Sequence, residues 1–148
     1  MAKWKSAAHA RYQLGYHVVW SPKYRKGILE GKARKEFLNE VLRGTGERYG
    51  FELVRIGIAD DHLHLFIEAA PKFAPARLVQ ILKSISAREF FRAFPDVKKQ
   101  LWGGALWEEG YCVRAVSDEV TQAVVERYIE SHHREEGHGP RQLTLFPR

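Results

Sequence analysis

The chain has 148 residues, 45% apolar and 12% aromatic, which is enough to build one packed domain. No run approaches the roughly 18 apolar residues of a membrane span, and the basic start is not followed by an apolar stretch, so a cytoplasmic protein is expected. Cys112 is the single cysteine, which excludes an internal disulfide, a thiolate cluster and a CxxC redox pair. Any metal must therefore be held by nitrogen and oxygen. Lysine and arginine outnumber aspartate and glutamate by 24 to 18, a net charge of +6. Basic residues stand beside aromatics at Lys3 to Lys5 and at Lys23-Tyr24-Arg25-Lys26, and a further basic pair follows at Lys98-Lys99. This pattern suits a polyanionic partner, although solvated lysine faces look the same in composition.

In chain order, Tyr12, Leu14, Tyr16, Val18 and Trp20 alternate with other residues, the period-2 pattern of a strand from Tyr12 to Trp20. Pro22 ends it. Phe37, Leu38, Val41 and Leu42 recur at helical spacing within Lys32 to Tyr49, which Gly50 closes. A β-branched strand is predicted from Glu52 to Ile58, with Val54, Ile56 and Ile58 on one side, followed by a turn at Ala59-Asp60-Asp61. The next strand, His62 to Glu68, sets Leu63, Leu65 and Ile67 on one face and His62, His64, Phe66 and Glu68 on the other. Pro75 opens a second helix over Ala76 to Phe94, which places Arg77 and Arg88 on one side of it, and Pro95 terminates it. Short strands punctuated by Gly103-Gly104 and Gly110 are expected between Leu101 and Val116. Ser117 or Asp118 would cap a last helix reaching about His133, and Gly137-His138-Gly139-Pro140 breaks structure before a short tail. The division is thus a single domain over 1–136 and a flexible tail over 137–148.

The order strand, helix, strand, strand, helix, strand, helix describes an α+β chain. It predicts a ferredoxin-like (RRM-like) antiparallel sheet with two helices on one face and a third, C-terminal helix near the free face where His62 and His64 project. Two histidines two apart on a strand share a face and can converge on one ion, but an HxH pair is as often structural. The last helix carries Tyr128 and, one turn later, His132, so a phenol and a third imidazole share one side of it. Tyr128 also continues the apolar row of Val120 and Val124, and on spacing alone it reads as core rather than as a site residue.

Six segments occur together in one order: Tyr16-His17-Val18-Val19-Trp20, Lys23-Tyr24-Arg25-Lys26, Asp61-His62-Leu63-His64-Leu65, Leu82-Lys83-Ser84-Ile85-Ser86-Ala87-Arg88, Leu106-Trp107-Glu108-Glu109-Gly110-Tyr111 and Tyr128-Ile129-Glu130. In these the chain resembles the HUH single-strand transposases of the IS200/IS605 type, which use one catalytic tyrosine, and the resemblance spans most of the sequence. It implies a DNA transposase that cleaves and rejoins single-stranded DNA through a 5′-phosphotyrosine on Tyr128. A divalent ion, magnesium or manganese, would be held by His62, His64 and His132. Many relatives carry glutamine where His132 stands, and three imidazoles also suit zinc or other borderline ions.

The resemblance further implies recognition of hairpins at element ends, a homodimer, and residence at the nucleoid of a bacterial or archaeal cell. Lys23, Arg25, Lys26, Arg77, Lys83 and Arg88 are the candidate phosphate contacts, with Tyr24 or Trp107 as stacking platforms. In the tail, Gln142-Leu143-Thr144-Leu145-Phe146 resembles the pentapeptide that binds the bacterial sliding clamp, which makes Gln142, Leu143, Leu145 and Phe146 candidate clamp contacts; packing on its own domain or on a dimer partner is an equal alternative. Three other readings compete. A domesticated repeat-associated transposase would use the same chemistry on dispersed palindromes. A non-catalytic RNA-binding module of this fold would need exposed aromatics on its central strands. A metal-dependent phosphohydrolase would use water in place of the tyrosine.

Overall fold

The computed structural model describes residues 4–25 and 27–116. Tyr128, His132, the last helix, the tail and Lys26 lie outside the described residues. A short hairpin of β1 (Lys5–Ala7) and β2 (Ala10–Tyr12) precedes β3 (Gly15–Trp20). The expected strand from Tyr12 is therefore two elements. Tyr12 pairs with Lys5 in the hairpin, and only from Gly15 does the chain join the main sheet. Then come α1 (Lys32–Tyr49), β4 (Glu52–Ile58), β5 (Leu63–Glu68), α2 (Pro75–Ala93), α3 (Pro95–Gln100) and β6 (Cys112–Val116). Pro95 ends α2 as expected but also opens α3, since proline at a first helical position lacks only an N–H that would be unpaired there anyway. Of the short strands expected over Leu101 to Val116, β6 is the regular one; Trp107 adds an isolated bridge to Pro22.

Among the described residues the main sheet runs β4-β5-β3-β6, antiparallel throughout. With α1 and α2 as the crossovers, this is the ferredoxin-like order. Both helices pack on one face, where Leu38, Leu42, Leu78, Ile81, Leu82 and Phe90 meet Val18, Trp20, Leu53, Leu63, Leu65 and Ile67. The strand β4 departs from simple alternation. Leu53 pairs with Ile67 but Arg55 with Phe66, so Val54 sits in a bulge. The extra residue shifts the phase: Ile56 and Ile58 pack with the helix-side core, whereas Val54 packs with Phe66 and Val116 across the sheet. The second face is not open, for Phe66 and Val116 are buried there.

Helix α1 ends in a left-handed Gly50, and the N–H groups of Gly50 and Phe51 both donate to the Gly46 carbonyl. Gly46 is itself pressed on β4, since a Cβ there would stand 2.7 Å from Leu53 Cδ2 and 2.7 Å from the Phe51 carbonyl. Gly44, two residues earlier, faces open space. Opposite outcomes follow for one substitution. Gly46→Ala is expected to destabilise by about 1–3 kcal/mol through overpacking, and Gly44→Ala to stabilise by about 0.5–1 kcal/mol through helix propensity, both read by urea unfolding.

Candidate active site

The strand β5 alternates as expected. Leu63, Leu65 and Ile67 enter the helix-side core, while His64 and Phe66 lie on the opposite face. His62, just before the strand, and His64 are both fully buried, with ring centroids 4.9 Å apart at 82°. His62 Nδ1 lies 3.0 Å from Asp61 Oδ1. The adjacent Asp60 pairs with Lys35 of α1, and its carbonyl accepts from the Leu29 N–H, so the turn that delivers His62 is anchored on both sides.

The third buried histidine, His17, was not singled out in the sequence. In β3 it lies opposite Phe66, next to the Val19 that faces His64. Its ring stacks on His64 at 5.5 Å with 6° between planes, and His17 Nε2 is 3.2 Å from His64 Nδ1. The available signal was phase. His17 falls out of step with Tyr16, Val18 and Trp20, and therefore on the histidine face. In each of His62 and His64, Nδ1 is engaged by a neighbour, so Nε2 is the nitrogen through which the ring would ligate an ion. For His64 this requires Nδ1–H to donate to His17 Nε2, which places the proton of His17 on its own Nδ1. Among the described residues, no group of three His, Cys, Asp or Glu side chains forms a metal site.

Around one end of the sheet the sequence motifs lock together. Trp20 and Trp107 meet edge to face at 5.8 Å, and Trp107 Nε1 donates to Ser86 Oγ of α2 at 3.0 Å. Trp107 is thus buried, contrary to the expected role as a stacking platform, because its ring packs in the core. Lys83 Nζ donates to the Glu108 and Gly110 carbonyls at 2.9 and 2.7 Å and lies 5.8 Å from the Trp20 ring. Burial pushes this ammonium below the ordinary lysine range, against the opposing pull of Glu108 and Glu109. Its charge holds the loop before β6. The other described candidates are placed differently. Arg77 and Arg88 are exposed on α2, beside Gln80 and Glu89. Tyr24 is exposed, and Lys23 stands 5.7 Å from its ring.

The His-hydrophobic-His segment thus lies at the sheet face away from the helices, where the resemblance to HUH transposases implies it should be. The model of the IS200-like transposase family matches residues 10–132. The ISDra2 transposase TnpA of Deinococcus radiodurans is 41% identical over 125 residues, 84% of this chain and 88% of that protein. The transposase of insertion sequence element IS200 from Salmonella typhimurium is 30% identical over 141 residues, 95% of this chain and 90% of its own length. A crystal structure of a chain from Deinococcus radiodurans, described as a transposase, superposes with a TM-score of 0.70 at 37% identity, covering 87% of this chain and 98% of that one. A REP-associated tyrosine transposase bound to a REP hairpin shares the fold, with a TM-score of 0.60 at 13% identity over 90% of this chain and 75% of its own. The chain belongs to the IS200-like transposase family, and it is a transposase of the one-tyrosine HUH type. The RNA-module alternative fails on its own requirement, since Phe66, the aromatic on the histidine face of β5, is fully buried. Among the described residues no helix is long and apolar enough to cross a membrane.

Because Lys83 spends its charge on two backbone carbonyls, Lys83→Ala is expected to lower stability by about 1.5–3 kcal/mol. Thermal unfolding checks this, and an unchanged melting temperature would contradict it.

Proposed function

We propose that this transposase cleaves and rejoins single-stranded DNA with Tyr128 as nucleophile, across from His62 and His64. The observation that supports it most is the buried pair of imidazoles, each with Nδ1 engaged, by Asp61 and by His17. Two nitrogen donors on one buried face suit a divalent ion of the magnesium, manganese or zinc range, and His132 is the third ligand in this reading. When bound, such an ion supplies Lewis-acid polarisation of a phosphate oxygen. The phenol oxygen of Tyr128 forms a bond to phosphorus as the bond from phosphorus to the 3′-oxygen breaks. The phenol proton is lost, and the departing 3′-oxygen is protonated. The product is a 5′-phosphotyrosine and a free 3′-hydroxyl, with no water consumed. A 3′-hydroxyl from another strand reverses the step and joins new partners, because an aryl oxide leaves readily. Asp61 and His17 fix the ring orientations and tautomers of His62 and His64.

The substrate in this reading is a DNA hairpin at each element end. Lys23, Arg25, Lys26, Arg77 and Arg88 contact its phosphates, and the enzyme works as a homodimer at the nucleoid. The tail residues Gln142, Leu143, Leu145 and Phe146 dock on the replication sliding clamp, where single-stranded substrate arises. Clamp capture that survives deletion of residues 142–146 sinks that last element.

The test of the chemistry is a labelled hairpin oligonucleotide carrying its element-end flank, incubated with protein and manganese and run on a denaturing gel. A protein-linked label is expected from the wild type and none from Tyr128→Phe; an adduct that persists in the variant refutes the nucleophile. A second expectation concerns His17. His17→Ala is expected to weaken manganese binding by about 10- to 100-fold, as removal of an outer-shell partner does, by calorimetric titration. Unchanged affinity would contradict the role of His17.

A further inference from the structure

Two bulky aromatic residues, Tyr24 and Trp102, hold left-handed backbone conformations, with φ of 61° and 54°, and their ring centroids are 5.9 Å apart. Trp102 follows α3 where its N–H donates to the Lys99 carbonyl and the Gly103 N–H to the Lys98 carbonyl, a helix-terminating turn that glycine ordinarily occupies. Side chains at such positions are strained, and strain retained in a bulky residue points to a use for its ring. Both rings face solvent, Tyr24 at 56% and Trp102 at 78% exposure. Neither can be explained as core.

We propose that Tyr24 and Trp102 form a stacking site for an unpaired base of the DNA substrate. The inference rests on the single-strand reading above and names a binding element of that site. The platform is held in place before any ligand arrives. The Lys23 N–H donates to the Leu106 carbonyl, the Glu108 N–H to the Ser21 carbonyl, and the Tyr24 N–H to Glu108 Oε1. Its position suits the chemistry. Trp20, the last residue of β3, pairs with Leu63, so the turn bearing Tyr24 leaves the sheet at the end where His62 enters β5. Its charge suits the ligand, with Lys23 beside Tyr24 and the exposed Lys98 and Lys99 in the turns leading to Trp102. Aromatic faces flanked by ammonium groups bind single strands, whose bases present π-faces, whereas a duplex hides its bases in the stack.

The experiment measures fluorescence anisotropy of a labelled single-stranded oligothymidine of about 20 nucleotides, and of a blunt duplex of that length, without divalent ion. Trp102→Gly is expected to weaken single-strand binding about 5- to 150-fold, the range that loss of one stacked base gives. The duplex is expected to change less than about twofold, and Trp102→Phe to retain most of the single-strand affinity. The melting temperature is expected to rise in Trp102→Gly, because glycine relieves the left-handed strain. A purely structural role for Trp102 would instead lower it. Unchanged single-strand affinity, or equal losses on both DNAs, overturns the proposal, as does a wild type that does not bind the oligothymidine. The covalent-adduct gel separates the two readings. An adduct that requires Tyr128, together with unchanged binding in Trp102→Gly, defeats the platform alone; absence of that adduct defeats the nucleophile and leaves the binding comparison standing.

Discussion

The site depends on the antiparallel register of β3 against β5, which sets Val19 opposite His64 and His17 opposite Phe66. A slip of one residue would send His17 and His64 to opposite faces. What prevents the slip is packing on the other face, where Val18 and Trp20 join Leu63, Leu65 and Ile67 under α1 and α2. Burial of polar rings is costly unless they are hydrogen-bonded, and the contacts of His17 with His64 and of Asp61 with His62 offset that cost. The helix-side core therefore fixes the geometry of the histidine face without touching it.

A second constraint acts at the end of the sheet. Trp20, Ser86, Lys83 and Trp107 come from three separated segments and meet in one joint. This joint holds the loop before β6 against the turn after β3, beside the hairpin that delivers His62. Residues that look like chemistry in a family motif are here the supports of the chemistry. The exposed aromatic pair is carried on the same supports.

Much of this was legible in the sequence. Helices α1 and α2 are legible to within a residue or so because Gly50, Pro75 and Pro95 mark their ends, and the two faces of β5 follow from alternation, whereas the short α3 carries no periodic signal of its own. Other features were not. The bulge at Val54 breaks period 2 by an inserted residue, which no alternation pattern reveals. The N-terminal hairpin is hidden from alternation because Tyr12 and Leu14 continue the pattern of β3 across a change of partner strand. The significance of His17 lies in a cross-strand neighbour 47 residues away, which no local pattern reveals. Trp107, which the sequence offers as a stacking platform, and Trp102, which it does not, differ in burial, 6% against 78% exposed, and nothing in their shared glycine-rich segment reveals that difference. The family itself was legible because its short motifs keep their order along the chain.

The central claim is that the phenol of Tyr128 becomes bonded to the 5′-phosphate of cut DNA. The most direct measurement is mass spectrometry of the trypsin-digested covalent adduct formed by the wild-type protein. Tyr128 follows Arg127, so cleavage there releases a peptide running from Tyr128 to Arg134. The account predicts the nucleotide mass on that peptide, fragmenting at Tyr128. Attachment to a peptide carrying Tyr24 or Tyr111, or hydrolytic cleavage of the DNA with no attached peptide, would contradict it.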